Sequence, residues 1–88
     1  MTLCENCHQR PATQWHEKFA QKAKNIQHYG KDLIYARFNS MMVCSRCNVS
    51  HAHMKPENIW DERTFREQAY LAGHVLPPPM KSYKKETQ

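Results

Sequence analysis

A chain of 88 residues, 40% of them hydrophobic, is sized for one domain and has no room for a second core. Its mean hydropathy is negative, so burial alone leaves it marginal and a further staple is expected. The formal net charge of +5 asks for either a polyanionic partner or a solvated basic surface, and no apolar run approaches the roughly 20 residues that span a bilayer.

The first ten residues, "MTLCENCHQR", lack the apolar core of a secretory signal. The chain therefore reads as intracellular and cytoplasmic, where thiols stay reduced and cysteines serve as ligands rather than disulfides. Cys4-x-x-Cys7 opens the chain, and Cys44-x-x-Cys47 follows after 36 intervening residues. A gap of two residues lets both sulfurs of a pair face one ion, and zinc favours four thiolates in a tetrahedron. The other reading of a CxxC pair, a redox motif on a thioredoxin-like fold, needs a longer βαβ pattern than this chain holds. A structural zinc on Cys4, Cys7, Cys44 and Cys47 is therefore expected. With four thiolates and one zinc ion the net charge falls from +5 to about +3.

After the first pair, Trp15, Phe19, Ala23 and Ile26 recur at helical spacing and Gly30 has the place of a helix stop. "DLIYARF" is rich in β-branched and aromatic residues and alternates as a strand does. "SMMVC" leads into the second cysteine pair. Pro56 suits a first helical turn and opens a helix over 56–73, with Ile59, Trp60, Phe65, Ala69 and Tyr70 as its apolar positions and Gly73 as its stop. "HVLPPPMKSYKKETQ" (74–88) reads as a basic, proline-rich, extended and mobile tail. Trp15, Trp60 and Phe65 are expected in the core, since so small a domain needs their buried area. His8, His28 and His74 are expected to be solvated.

Basic residues gather between positions 10 and 55, where Arg10, Lys18, Lys22, Lys24, Arg37 and Arg46 are the candidates for contact with nucleic acid. Residues 56–76 are acidic, with Glu57, Asp61, Glu62 and Glu67 against Arg63 and Arg66.

One phrase is unusually dense in ligand types. In "CSRCNVSHAH", Asn48, His51 and His53 follow the second cysteine pair at once. Together with "WHEKF" and "NSMMVC", this order resembles the HNH, or His-Me finger (ββα-metal), endonuclease superfamily in its zinc-stapled form, which includes phage recombination endonuclease VII and small phage HNH proteins. The resemblance covers residues 4 to about 54. It implies a small α+β, zinc-stabilised ββα-metal finger over 1–55, a short β-hairpin plus helices, with the helix of 56–73 packed on it. It assigns His16 as the base that activates water and Asn39 as the brace of the loop. Because it also implies that His16 lies on a strand, the strand is expected to end near Phe19 and the helix to run over 20–29. It places a catalytic cation such as Mg²⁺ on Asn48 with His51 or His53, or with Glu17. His51 and His53 lie two apart, so on a helix they cannot both face one ion. Trp15 stands where most of the family has a metal-binding Asp or His.

Two readings of function follow. The first is a metal-dependent DNA endonuclease, a phosphodiester hydrolase working in a phage or bacterial host cytoplasm. The second is a non-catalytic HNH-like zinc module that binds DNA or a protein partner, for example a phage accessory or inhibitory factor. Neither involves a membrane.

Overall fold

A computed structural model describes residues 2–49 and 51–80 of the chain. It is a small α+β fold in which a two-stranded antiparallel sheet is flanked by short helices. Strand β1 (Gln14–Glu17) pairs with β2 (Ser40–Val43), so that Trp15 faces Met42 and His16 faces Met41. Backbone bonds continue the ladder past both ends, from Thr13 N–H to Val43 O at 2.9 Å and from Lys18 N–H to Asn39 O at 2.8 Å. The far edge of β2 is closed by Glu5, which meets Met42 through its own N–H and through Oε2, each at 2.9 Å.

Between the strands run α1 (Ala23–Tyr29) and α2 (Lys31–Ile34). Gly30, at φ 88°, stops α1 and donates its N–H to Ile26 O at 2.7 Å; a Cβ would be strained in that left-handed backbone. The strand expected over "DLIYARF" is instead α2 followed by a single 3₁₀ turn, Arg37–Asn39. The reason is burial. Leu33 and Ile34 are both buried although adjacent, which a helical turn allows and the alternation of a strand forbids.

The second cysteine pair is carried by α3 (Ser45–Asn48), which starts just after Cys44 and ends on Asn48. One-turn 3₁₀ helices follow at His51–His53 and Pro56–Asn58. The expected single helix over 56–73 is therefore divided. Pro56 opens only the 3₁₀ turn, Ile59 is extended, and α4 (Glu62–Leu71) begins after Asp61, whose Oδ1 accepts from Thr64 N–H at 2.8 Å. Gly73, at φ 90°, does stand just beyond its end.

Two apolar clusters result. One surrounds the cysteines and holds Met41, Val43 and Met54. The other joins Phe19, Tyr29, Leu33, Ile34 and Phe65, with Phe38, Trp60, Leu76 and Met80 packed on it. Phe65 is fully buried, stacked on Phe19 at 4.6 Å and on Phe38 at 5.5 Å between ring centroids. Trp60 is half-buried as expected, but Trp15 is 53% exposed, standing beside Arg37 rather than in either apolar cluster.

Residues 74–80 lie against the helices rather than free of them. Arg66 Nη1 donates to Pro77 O at 2.6 Å, Met80 N–H donates to Glu62 Oε2 at 3.0 Å, and His28 Nε2 donates to Pro78 O. Prolines cannot donate, so their carbonyls become the acceptors that these side chains use. His28 is thus engaged through Pro78 O, whereas His74 is exposed as expected, with its ring 5.1 Å from that of Phe38. The expected basic end of the tail, 81–88, lies outside the described residues. Among those described, no helix is long and apolar enough to cross a membrane.

Candidate metal centre and the cleft beside it

Both cysteine pairs converge. The sulfurs of Cys4, Cys7, Cys44 and Cys47 all lie within 4.8 Å of one another, and Cys7 Sγ is 3.9 Å from Cys44 Sγ. A tetrahedral zinc with bonds of about 2.3 Å spaces its sulfurs by about 3.8 Å, so the cluster fits a structural metal such as zinc. Local backbone makes this geometry. The turn after Cys4 is closed by His8 N–H to Cys4 O at 2.8 Å, with His8 at φ 59°, and Cys7 N–H points at Cys4 Sγ at 3.5 Å.

The thiols differ in readiness to ionise. Burial raises Cys4, but the N–H groups of Cys7, Cys44 and Asn6 outweigh it and hold the thiol at about 6. Cys7 is lowered mainly by the Gln9 N–H. Burial pushes Cys47 up to about 12. A bound cation removes that difference, because a coordinating thiol is deprotonated outright. Among the described residues this is the one group of three or more Cys, His, Asp or Glu ligands able to hold a single ion.

Asn6, which sequence reasoning passed over, ties this centre to the rest of the site. It is buried, and its Nδ2 donates to Cys47 Sγ at 3.1 Å and to His53 O at 2.8 Å. Its Oδ1 accepts from Lys55 N–H and from Asn58 Nδ2, both at 2.9 Å. Asn58 O in turn lies 3.1 Å from His16 Nε2. The only available hint was an asparagine within a tight CxxC turn, and that is equally common as a turn residue.

His16 sits mid-strand and half-buried. It lines a cleft of about 570 Å³ along β1, together with Asn48, Lys18, Lys22, Lys24 and Trp60. Asp61 and Glu62 line it as well, so the cleft is not purely basic. Because a carbonyl can only accept, the bond to Asn58 O requires a proton on Nε2, so in the neutral ring Nδ1 is the acceptor. Asn39 is fully buried. Its Oδ1 accepts from Phe19 N–H at 2.8 Å, while its Nδ2 donates to Phe19 O at 3.1 Å and to Ile34 O at 2.8 Å. These bonds clamp Phe19, where the chain leaves β1, three residues past His16.

The remaining candidates are spread out. Asn48 is the last residue of α3, and its Nδ2 donates to Gln14 Oε1. His53 is exposed, with Nδ1 3.3 Å from Arg46 O, and the side chain of His51 lies outside the described residues. Glu17 is buried and borders the His16 cleft, while strand alternation turns its side chain towards the other face of β1. Among the basic candidates, Lys18, Lys22 and Lys24 share the cleft with His16. Arg37 lies beside Trp15, and Arg10 and Arg46 are exposed near the cysteines. No family model, curated protein or solved structure matches the chain.

Proposed function

We propose that this protein is a metal-dependent DNA endonuclease of the HNH type, with His16 as the base that activates water. One observation carries the reading. His16 is held by Asn58 O through Nε2, which leaves Nδ1 as the nitrogen for proton abstraction in a cleft that Asn48 and three lysines also line. A neutral imidazole oriented in this way suits proton abstraction near pH 7. The order of the elements, β1 and β2 followed by α3, is compatible with a ββα-metal finger. The cysteine centre is scaffold in this reading, since four thiolates leave a zinc with no open position.

The catalytic cation would take Asn48 Oδ1 from the cleft lining, while His53, exposed beside Arg46, does not line that cleft. Mg²⁺ suits so sparse a shell, because it keeps several waters and takes phosphate oxygens as ligands. When bound it would supply charge stabilisation at the phosphate and leaving oxygen. Lys18, Lys22 and Lys24 would draw the DNA backbone towards the cleft.

A second reading, a non-catalytic DNA- or protein-binding module, is favoured by one specific feature. Trp15 occupies the usual ligand position, and no second cluster of ligands exists among the described residues. Plasmid nicking with Mg²⁺, Mn²⁺ or Ni²⁺ separates the two. His16→Ala should lower nicking by about 10²–10⁴ while leaving zinc content and DNA affinity close to wild type. Wild-type protein that nicks with none of these ions overturns the enzyme reading.

A further inference from the structure

We propose that the face of β1 opposite His16 binds an unpaired nucleobase, with Trp15 as its stacking platform and the Glu17 carboxylate as acceptor for its Watson–Crick edge. This rests on the nucleic-acid reading above and adds the kind of DNA the protein selects. Trp15 and Glu17 are two apart on the strand and so share a face. With Tyr35, Arg37 and Ser40 they line a second cavity, of about 410 Å³.

Its walls are fixed in advance. Arg37 lies over the Trp15 ring, 5.5 Å from its centroid, and is anchored by Nη1 donating to Ser40 O at 2.7 Å. Tyr35 is 47% exposed, yet its hydroxyl is tied to Gln21 Oε1 at 2.7 Å. A ligand entering here immobilises little that was free. An exposed indole leaves unused the largest burial a side chain can offer, and a base stacked on it recovers that area whatever its sequence.

Glu17 makes the site selective. It is only 9% exposed, and its carboxylate makes no hydrogen bond or ion pair among the described residues. Its oxygens are not sealed from solvent, so they stay open to a ligand that brings donors to them. Guanine presents N1–H and N2–H side by side, matching two carboxylate oxygens. Cytosine and adenine offer one amino group, and thymine sets its single N–H between two repelling carbonyls. In a duplex that edge is occupied and the base faces are stacked, so only an unpaired base fits. Arg37 adds a positive charge for the adjoining phosphate.

The test uses zinc-loaded full-length protein and two single-stranded probes: a 12-mer of thymidine, and the same strand with one central guanine. Wild type should bind the guanine strand about tenfold more tightly. Glu17→Gln should bind both strands equally, and Trp15→Ala should lose most affinity for either while Trp15→Phe keeps it. Zinc content and melting temperature establish that each variant is folded. Equal wild-type affinity for the two strands, or a folded Trp15→Ala that binds like wild type, overturns the proposal. If plasmid nicking persists in that case, the endonuclease reading survives alone. If strand binding follows Trp15 and Glu17 while no divalent ion gives nicking, the base site stands and the enzyme reading falls. Absence of any DNA retention at low salt overturns both.

Discussion

Asn39→Ala is the substitution whose cost can be worked most directly from the structure. The amide is fully buried and satisfies three backbone groups, Phe19 N–H, Phe19 O and Ile34 O, at 2.8, 3.1 and 2.8 Å. Alanine leaves all three without a partner, and each such group costs about 1–3 kcal/mol. Partial relaxation at the carbonyls brings the expected total to about 3–5 kcal/mol. That is a large share of the roughly 5–15 kcal/mol that holds a domain together, and this chain is small. With a urea slope of about 1 kcal/mol per molar, the midpoint should fall by about 3 M or more, or the variant should be unfolded in buffer. The assay is equilibrium urea unfolding of zinc-loaded protein followed by circular dichroism. Asn39→Asp serves as the control, because it keeps the acceptor for Phe19 N–H but sets a carboxylate oxygen against two carbonyls. It should be at least as destabilising at pH 7, where the carboxyl is ionised. An alanine variant whose midpoint lies within about 0.5 M of wild type would refute the argument that this side chain clamps the exit of β1.

Asn6→Asp removes the donors to Cys47 Sγ and His53 O and adds a negative charge beside the thiolates; zinc should then be lost at about tenfold lower chelator concentration, and an unchanged competition curve would show that Asn6 plays no part in holding the metal. Stripping zinc from the wild type should abolish cooperative unfolding, because here binding energy is folding energy; a chelated protein with an unaltered melting curve contradicts this. Tyr29 is pushed up to about 12 by burial and by its bond to Glu62 Oε2. A folded-state pKa above the ordinary value of 10 means a contribution that is complete below pH 10 and lost as pH rises towards 12. Tyr29→Phe should flatten that alkaline fall, as read from melting temperatures between pH 9 and about 12; an identical slope in the variant would place its origin elsewhere.

The four-cysteine cluster was legible because its signal is chemical and short-ranged. Two CxxC turns in one small chain have few alternatives to sharing an ion. Gly30 and Gly73 were legible for a similar reason, since a left-handed backbone just past a helix is where glycine costs least. "DLIYARF" was not. Its composition suits a strand, but only the second apolar cluster, assembled from Phe19, Tyr29 and Phe65, decides that Leu33 and Ile34 must both point inward. The same holds for the divided helix after Pro56, where Asp61 rather than the proline sets the start of α4.

By itself the sequence determined which groups were present: the thiols, an imidazole within "WHEKF", an asparagine five residues before the third cysteine, and a basic stretch. It could not assign their neighbours. Tertiary structure decided that Asn58, 42 positions from His16, orients the imidazole, and that Asn6 links that contact to the cysteines. It decided too that Trp15 stands outside the core, beside Arg37. Local propensity acts over a few residues, whereas hydrogen-bond partners and exposure are set by segments that meet only once the chain has closed on itself.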